Sequence, residues 1–248
     1  METTSSQTSP EPSPWSRSNR ALWIWTGVAA ALVLIAFAGT AADGDGDDTS
    51  DVLFDYEFAI GSLVVYGVIV GVTWFAARGF EDPREGLGLR SFAPRWIWIT
   101  LGLAILSLIV SAALEPVLHA GEEQGLAPDE WREDRVAAFV VNGLVVSLVV
   151  PFAEELFYRG LGVRALGFLG QWAAILGTAL AFALAHGLLV GIPALGFFGV
   201  ALAWVRWRSR SVWPGFIAHA VYNGTGIAVA AYVAMNPDEA RSALGFLL

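Results

Sequence analysis

The chain has 248 residues, of which 56% are hydrophobic and only 15% are charged. Soluble domains are about 45–50% apolar and about 25% charged, so a soluble fold of this length would leave too much apolar surface in water. We therefore expect an all-α protein that spans a membrane as a bundle of apolar helices. The absence of cysteine excludes disulfides, thiolate metal sites and a cysteine nucleophile. The basic residues are all arginine and form no basic face, so nucleic acid is not an expected partner.

The amino-terminal segment reads as a tail followed by a helix. Residues 1–20 are rich in Ser, Thr and Pro and lack an apolar pattern, which is typical of a disordered tail. The run 21–42 has no charge and is longer than the apolar core of about 7–15 residues that a signal peptide has. We expect a retained first membrane helix, with a cleaved signal peptide as the alternative.

Charge-poor runs predict about seven membrane helices, with six to eight as the range. They lie at 21–42, 58–77, 96–114, 136–153, 168–190, 194–207 and 212–235. The stretch between Arg164 and Arg206 has no formal charge and is too long for one crossing. We expect it to break at Gly191-Ile192-Pro193, because proline lacks a backbone donor and glycine allows a turn. The chain then divides into a tail at 1–20, helices with acidic outer loops at 21–135, a core at 136–235 and a tail at 236–248.

The placement of arginine predicts the orientation of these helices. With the N-terminus in the cytoplasm, three of the fourteen basic residues fall outside and the other eleven fall inside. The three are Arg132, Arg135 and Arg241. We therefore expect an integral protein of the cell membrane with a cytoplasmic N-terminus, an outer C-terminus, and outer loops that contain most of the acidic residues.

Charged residues directly follow the fourth apolar run. Glu155 and Arg159 are four apart, so they share a helix face and can pair. Glu154 points elsewhere and is left free to act as a general base. The alternative is an ordinary ion pair at the cytoplasmic end of a helix. Either way, we expect Glu154 near the inner end of its helix.

Two further apolar runs contain histidine. Phe182 precedes His186 by four residues, and the predicted helix places His186 in its middle. His219 and Asn223 are also four apart and share a face. Each of these side chains alone can be a polar packing contact. Gathered in one cavity, they would satisfy one another and provide the carboxylate, imidazole and hydrogen-bond donors of a hydrolase. His119, in the acidic outer loop, is given no role.

These motifs resemble the CPBP family of intramembrane proteases. That family includes the CAAX prenyl proteases and Abi-like bacterial proteins linked to bacteriocin processing and immunity. The matching residues, in order, are Glu154-Glu155-x-x-x-Arg159, Phe182-x-x-x-His186 and His219-x-x-x-Asn223. The resemblance covers about residues 136–235, which would form the catalytic core.

The resemblance implies a role for each residue. Glu154 would be the base, His186 would help to activate the water, and His219 and Asn223 would stabilise the oxyanion. Glu155 and Arg159 would orient the site, supported by Phe182. The implied reaction is endoproteolysis of a prenylated, otherwise lipidated or membrane-embedded substrate, which we expect near the cytoplasmic face.

The participation of a metal stays open at this point. Glu154, His186 and His219 could hold Zn²⁺, which would make the protein a metalloprotease. A metal-free glutamate mechanism fits equally, and the spacing that marks a zincin is missing, so we favour a reaction that requires no cofactor.

Three other functions compete with proteolysis. A non-catalytic scaffold or a bacteriocin-immunity protein of the same family would keep the motifs without turnover. A proton-coupled carrier also uses intramembrane Glu and His, but no internal repeat is present. A haem protein with two axial histidines would leave Glu154, Glu155 and Arg159 unused.

Overall fold

The computed structural model describes residues 18–42, 52–119, 128 and 130–237, and these residues form helices joined by short turns, without strands. The predicted all-α membrane bundle is confirmed. The helices are α1 (Asn19–Ala42), α2 (Tyr56–Ala77), α3 (Pro83–Leu87), α4 (Arg95–Leu118), α5 (Glu133–Leu169), α6 (Gln171–Leu184), α7 (Ile192–Ser209) and α8 (Trp213–Met235). The predicted tails lie almost wholly outside the described residues, as do large parts of the two acidic loops.

Each predicted apolar run contains a helix, but the helix lengths differ from the prediction. Among the described residues, α1, α2, α4, α5 and α8 are long and apolar enough to cross a membrane. Helix α6 has 14 residues, or about 21 Å, which is less than the hydrocarbon thickness of about 30 Å. Helix α5 has 37 residues and continues well beyond residue 153, where the fourth run was expected to end. The predicted count of seven therefore corresponds to five long spans and two shorter helices, α6 and α7.

One end of the bundle is rich in arginine. Arg20, at the start of α1, donates to the carbonyl of Phe75 near the end of α2 at 2.9 Å. Arg206, near the end of α7, donates to the carbonyl of Gly86 in α3 at 3.3 Å. Ser211, just before α8, donates to the carbonyl of Arg90 ahead of α4 at 2.8 Å. These contacts bring the starts of α1, α4 and α8 to one level, which we call the arginine-rich end.

The opposite end, the acidic end, joins the start of α5 to the start of α2. Arg135 pairs with Asp55 at 2.9 Å. The amide nitrogen of Asn142 donates to the carbonyls of Leu53 and Asp55 at 2.8 and 2.9 Å. Ile227, in the second half of α8, packs against a buried cluster at this end that contains Leu53, Phe54 and Phe139. The carboxyl-terminal half of α8 therefore lies at the acidic end.

Helix α5 lies in the middle of the bundle and contains two π-helical segments, Val145–Val149 and Glu155–Gly162. The first ends just before Pro151, which has no backbone donor and crowds the preceding turn. There the N–H of Val150 bonds to the carbonyl of Val145, five residues back, in place of Val146. The carbonyl of Val146 is thereby released from the helix ladder. Such bulges occur frequently at functional sites.

The chain turns sharply between α6 and α7. Gly187 has φ +71°, a left-handed conformation that side-chain-bearing residues rarely adopt, and a Cβ there would lie 3.2 Å from the Ala36 backbone oxygen. Helix α7 then begins at Ile192, with Pro193 in its first turn. The predicted break at Gly191-Ile192-Pro193 is confirmed, although α6 already ends at Leu184.

Candidate active site

The ion pair predicted between Glu155 and Arg159 is present, and it is buried within α5. Arg159 Nη1 lies 3.0 Å from Glu155 Oε1, and both side chains are at most 1% exposed. A second Arg159 nitrogen donates to the Gly199 carbonyl of α7 at 3.4 Å, and the guanidinium carbon lies 4.3 Å from the Phe182 ring centroid. Breaking a buried pair of this kind costs about 3–5 kcal/mol, because it strands the partner's charge. The pair therefore fixes the carboxylate of Glu155.

His219 of α8 lies between the two neighbouring carboxylates. Its Nδ1 is 3.2 Å from Glu155 Oε1, and its Nε2 is 3.6 Å from Glu154 Oε2. The shorter contact is a hydrogen bond that Nδ1 donates to Glu155, whereas Nε2 faces Glu154 just beyond hydrogen-bond distance. His219 therefore connects the ion pair to Glu154. The sequence had placed the two glutamates on different faces, and it gave no indication that one imidazole contacts both.

Glu154 is buried, with 8% of its surface exposed. Its Oε1 accepts a hydrogen bond from the Tyr66 hydroxyl of α2 at 3.1 Å, while its Oε2 faces His219. The expectation that Glu154 lies near the inner end of its helix is wrong, because α5 continues to Leu169. At about 1.5 Å per residue, Glu154 is about 22 Å from that end and about 32 Å from Glu133.

His186 does not lie in the middle of a helix, as the sequence suggested. Helix α6 ends at Leu184, and His186 occupies the turn that follows. Its Nδ1 is 2.7 Å from the Phe182 carbonyl, an acceptor, so that nitrogen carries the proton. The lone pair is thereby assigned to Nε2, which can accept a hydrogen bond from water.

Aromatic rings surround the two imidazoles. Phe182 contacts His186 and His219, with ring centroids 4.6 and 5.7 Å apart. Phe198 of α7 meets His219 nearly perpendicularly at 5.2 Å and stacks on Tyr222 at 4.3 Å. Phe182 therefore contacts the ion pair and both histidines, and the supporting role that the resemblance implied stays a prediction.

Asn223 is held by the backbone of α5. Its amide nitrogen donates at 3.0 Å to the carbonyl of Val146, which the first π-helical segment releases. The structure therefore brings Asn223 to the same region as His219 but engages its donor. Donation to an oxyanion would require Asn223 to exchange this bond for one to the substrate.

Two cavities meet at His186. The larger, about 350 Å³, is lined by His186, His219 and Asn223 together with mainly apolar residues of α4, α7 and α8. The smaller, about 270 Å³, is lined by Glu154, Tyr66 and His186 together with residues of α1, α2 and α5. His186 thus separates a side of the site that contains the base from a side that contains the other polar groups.

The structure adds two residues that the sequence analysis did not select. Tyr66 was detectable as a hydroxyl within the uncharged run 58–77, but nothing in its spacing indicated a contact with Glu154. Phe198 carries no signal at all, because it resembles any other apolar residue of α7. Both residues reach the site only because helices pack together: Tyr66 of α2 contacts α5, and Phe198 of α7 contacts α8. Residue spacing within one helix cannot predict such contacts.

The three proposed zinc ligands do not form a metal site in this structure. Within the described part of the chain, no group of three or more His, Asp or Glu side chains is arranged to hold a metal ion. Both His219 nitrogens face carboxylates, and His186 Nδ1 faces the Phe182 carbonyl. We therefore derive no step through a metal.

The region that contains all three motifs matches a known protein family. Residues 136–225 match the model of the family described as type II CAAX prenyl endopeptidase Rce1-like. The resemblance to CAAX proteases is confirmed. The Rce1-like match runs from α5 to the middle of α8, and helices α1–α4 lie outside it. Neither a curated protein nor a solved structure matches the chain.

Proposed function

We propose that the protein is an intramembrane endopeptidase that hydrolyses a peptide bond in a lipidated or membrane-embedded substrate. The observation that carries this proposal is the buried carboxylate of Glu154, which lies within the long apolar helix α5 with one oxygen directed at His219. Burying a carboxylate is costly, and a role as general base explains why the chain has one at this position. The Rce1-like match supports peptide hydrolysis as the reaction class.

In the proposed reaction, Glu154 accepts a proton from a water molecule whose oxygen attacks the peptide carbonyl carbon. His186 Nε2 accepts a hydrogen bond from the same water and orients it. The resulting tetrahedral oxyanion receives hydrogen bonds from His219 and Asn223, which exchange their contacts with Glu154 and with the Val146 carbonyl for it. Glu154 then returns its proton to the amide nitrogen as the C–N bond breaks, which releases a carboxylic acid and an amine.

Glu155 and Arg159 act as positioning residues in this scheme. Because Glu155 Oε1 contacts both Arg159 and His219, it fixes the imidazole relative to Glu154. Fixed donors stabilise a developing charge without reorganisation at the moment of reaction. The scheme requires no cofactor. Participation of Zn²⁺ is the alternative, and retention of activity after prolonged dialysis against a chelator would argue against it.

The proposal also covers the orientation of the chain in the membrane and the class of its substrate. The N-terminus is assigned to the cytoplasm on the arginine distribution, and the chain to the cell membrane. The substrate is a prenylated, acylated or otherwise membrane-anchored polypeptide. A bilayer-embedded site selects such substrates because they reach it by lateral diffusion.

The direct test is cleavage by the purified full chain in detergent or liposomes. Quenched peptides with prenylated, acylated or unmodified apolar anchors serve as the substrate panel. We expect Glu154→Gln to lower kcat/KM about 10²–10⁴-fold, the usual contribution of a general base. The matched control is Glu57→Gln, which changes an exposed carboxylate at the start of α2. Cleavage that persists in Glu154→Gln would refute the assignment of the base.

A complementation assay in cells distinguishes proteolysis from the non-catalytic alternative. A scaffold or immunity protein needs the fold but not the base, so it should tolerate Glu154→Gln in a complementation assay. A phenotype lost with this variant while the protein remains at its normal level supports turnover.

A further inference from the structure

The larger cavity extends from the candidate site to the acidic end of the bundle. Its walls include Leu118 at the end of α4, Gly191 ahead of α7 and Val233 near the end of α8. Helices α4 and α8 both begin at the arginine-rich end, and α7 ends there, so these three wall residues lie at the opposite end. His186, His219 and Asn223 form the deep part of the same cavity.

The two ends of the described bundle differ strongly in charge. The arginine-rich end contains Arg20, Arg78, Arg84, Arg90, Arg95, Arg164, Arg206, Arg208 and Arg210 together with Glu81, Asp82 and Glu85. The acidic end contains Arg132 and Arg135 together with Asp55, Glu57, Glu115, Glu130, Glu133 and Asp134. Arginine is retained on the cytoplasmic side of membrane proteins, and acidic residues contribute little to orientation. This asymmetry assigns the acidic end to the outside.

From these two observations we infer that the cavity opens to the extracytoplasmic side and admits an extracytoplasmic segment of a membrane-anchored polypeptide. This inference rests on the proposed proteolytic function and specifies its substrate class. Cleavage near the cytoplasmic face was expected only because Glu154 was placed near the inner end of its helix, and α5 continues to Leu169. A prenylated tail in the cytoplasm would meet the arginine-rich end, away from the mouth of this cavity.

The chemistry of the cavity fits such a segment. Its walls are predominantly apolar, with Leu114, Leu195 and Ile227 among them. A volume of about 350 Å³ is at the lower end of the range of ligand pockets, about 300–1,000 Å³. A short stretch of extended chain can enter, whereas a folded domain cannot. The preferred substrate is therefore an unfolded apolar segment close to the outer membrane surface.

The absence of cysteine makes the test direct, because each single-cysteine variant reports one position. Ala230→Cys places a thiol on the cavity wall, and Ala228→Cys places one on the exposed surface of the same helix. Glu130→Cys and Ser91→Cys report the acidic and arginine-rich ends at exposed positions. Intact cells are treated with a small, charged, membrane-impermeant thiol reagent, and the remaining thiols are counted after denaturation.

We expect Glu130→Cys and Ala230→Cys to lose their free thiols in intact cells. Ser91→Cys should lose its thiol only after the cells are opened, and Ala228→Cys should keep it because lipid excludes the charged reagent. Reaction of Ser91→Cys with protection of Glu130→Cys would reverse the orientation and overturn the inference. Protection of Ala230→Cys beside a reactive Glu130→Cys would show that no water-filled path leads from the outside to the cavity wall, and it would overturn the inference.

A vesicle assay connects access to cleavage. A membrane-impermeant quenched peptide should be cleaved by right-side-out vesicles and not by sealed inside-out vesicles that contain the full chain. Cleavage by inside-out vesicles alone would overturn the inference. Absence of cleavage from both, also after detergent is added, would count against the proposed function and leave the thiol result to decide access independently.

Discussion

The hydrogen bond from Tyr66 to Glu154 couples α2 to the candidate base. A hydrogen bond to a charged group is worth about 1.5–3 kcal/mol, and about 1.4 kcal/mol corresponds to a factor of ten. We expect Tyr66→Phe to lower kcat/KM about 10-fold or more without reducing the yield of folded protein. Tyr56→Phe, at a half-exposed position in the same helix, is the control, and quenched-peptide kinetics are the measurement. Equal activity of the two variants would show that Tyr66 does not orient the carboxylate.

At the same scale, the sequence predicted which residues form the site better than it predicted how they meet. The spacing of Glu155 and Arg159 suffices to predict their pair, because a helical turn alone brings them together. The contact of His219 with both carboxylates depends on how α8 docks on α5, and residue spacing holds no information about docking. His186 was placed in a helix because the residues before it are apolar, whereas the left-handed conformation of Gly187 requires a turn there.

At the scale of elements, the approach of α8 to α5 depends on a glycine. A Cβ on Gly215 would lie 2.4 Å from Glu155 Oε2, so only glycine leaves room for this carboxylate. We expect Gly215→Ala to displace Glu155 at a cost of about 1–3 kcal/mol, as overpacking typically does, and to lower both the melting temperature and the activity. Gly196→Ala in α7, where a Cβ would meet nothing within 4 Å, should change neither. Thermal unfolding in detergent and peptide cleavage measure the two effects.

The helix boundaries show why elements were predicted only in part. Apolar runs identified every long span, since composition decides membrane insertion. The charges at Glu154, Glu155 and Arg159 were interpreted as the end of a helix, because charged residues are rare inside a bilayer. The structure buries and pairs these side chains, so α5 continues past them. The π-helical segments leave no periodic signal in the sequence.

At the scale of the whole molecule, the Rce1-like match covers only part of the site's surroundings. Leu32 of α1 and Tyr66 of α2 line the smaller cavity, although both precede the matched residues. We expect the fragment from residue 128 onward to be inactive alone, because it lacks these walls and exposes its contacts with α1 and α2. Co-expression with residues 1–127 should restore cleavage, and a first fragment carrying Tyr66→Phe should restore it less. Full activity of the second fragment alone would contradict this dependence.

The bond between Asn223 and the released carbonyl of Val146 has a consequence for how the site tolerates change. Every amino acid has the same carbonyl, so conservative substitutions at position 146 leave this anchor intact and a substitution scan will not reveal it. The length of the segment is what matters. Deleting one residue from Val145–Val149 would remove the π turn and rotate one half of α5 against the other by about 100°. We therefore expect the site to tolerate substitutions in Val145–Val149 that keep the segment's length. A deletion of a single residue there should abolish its geometry.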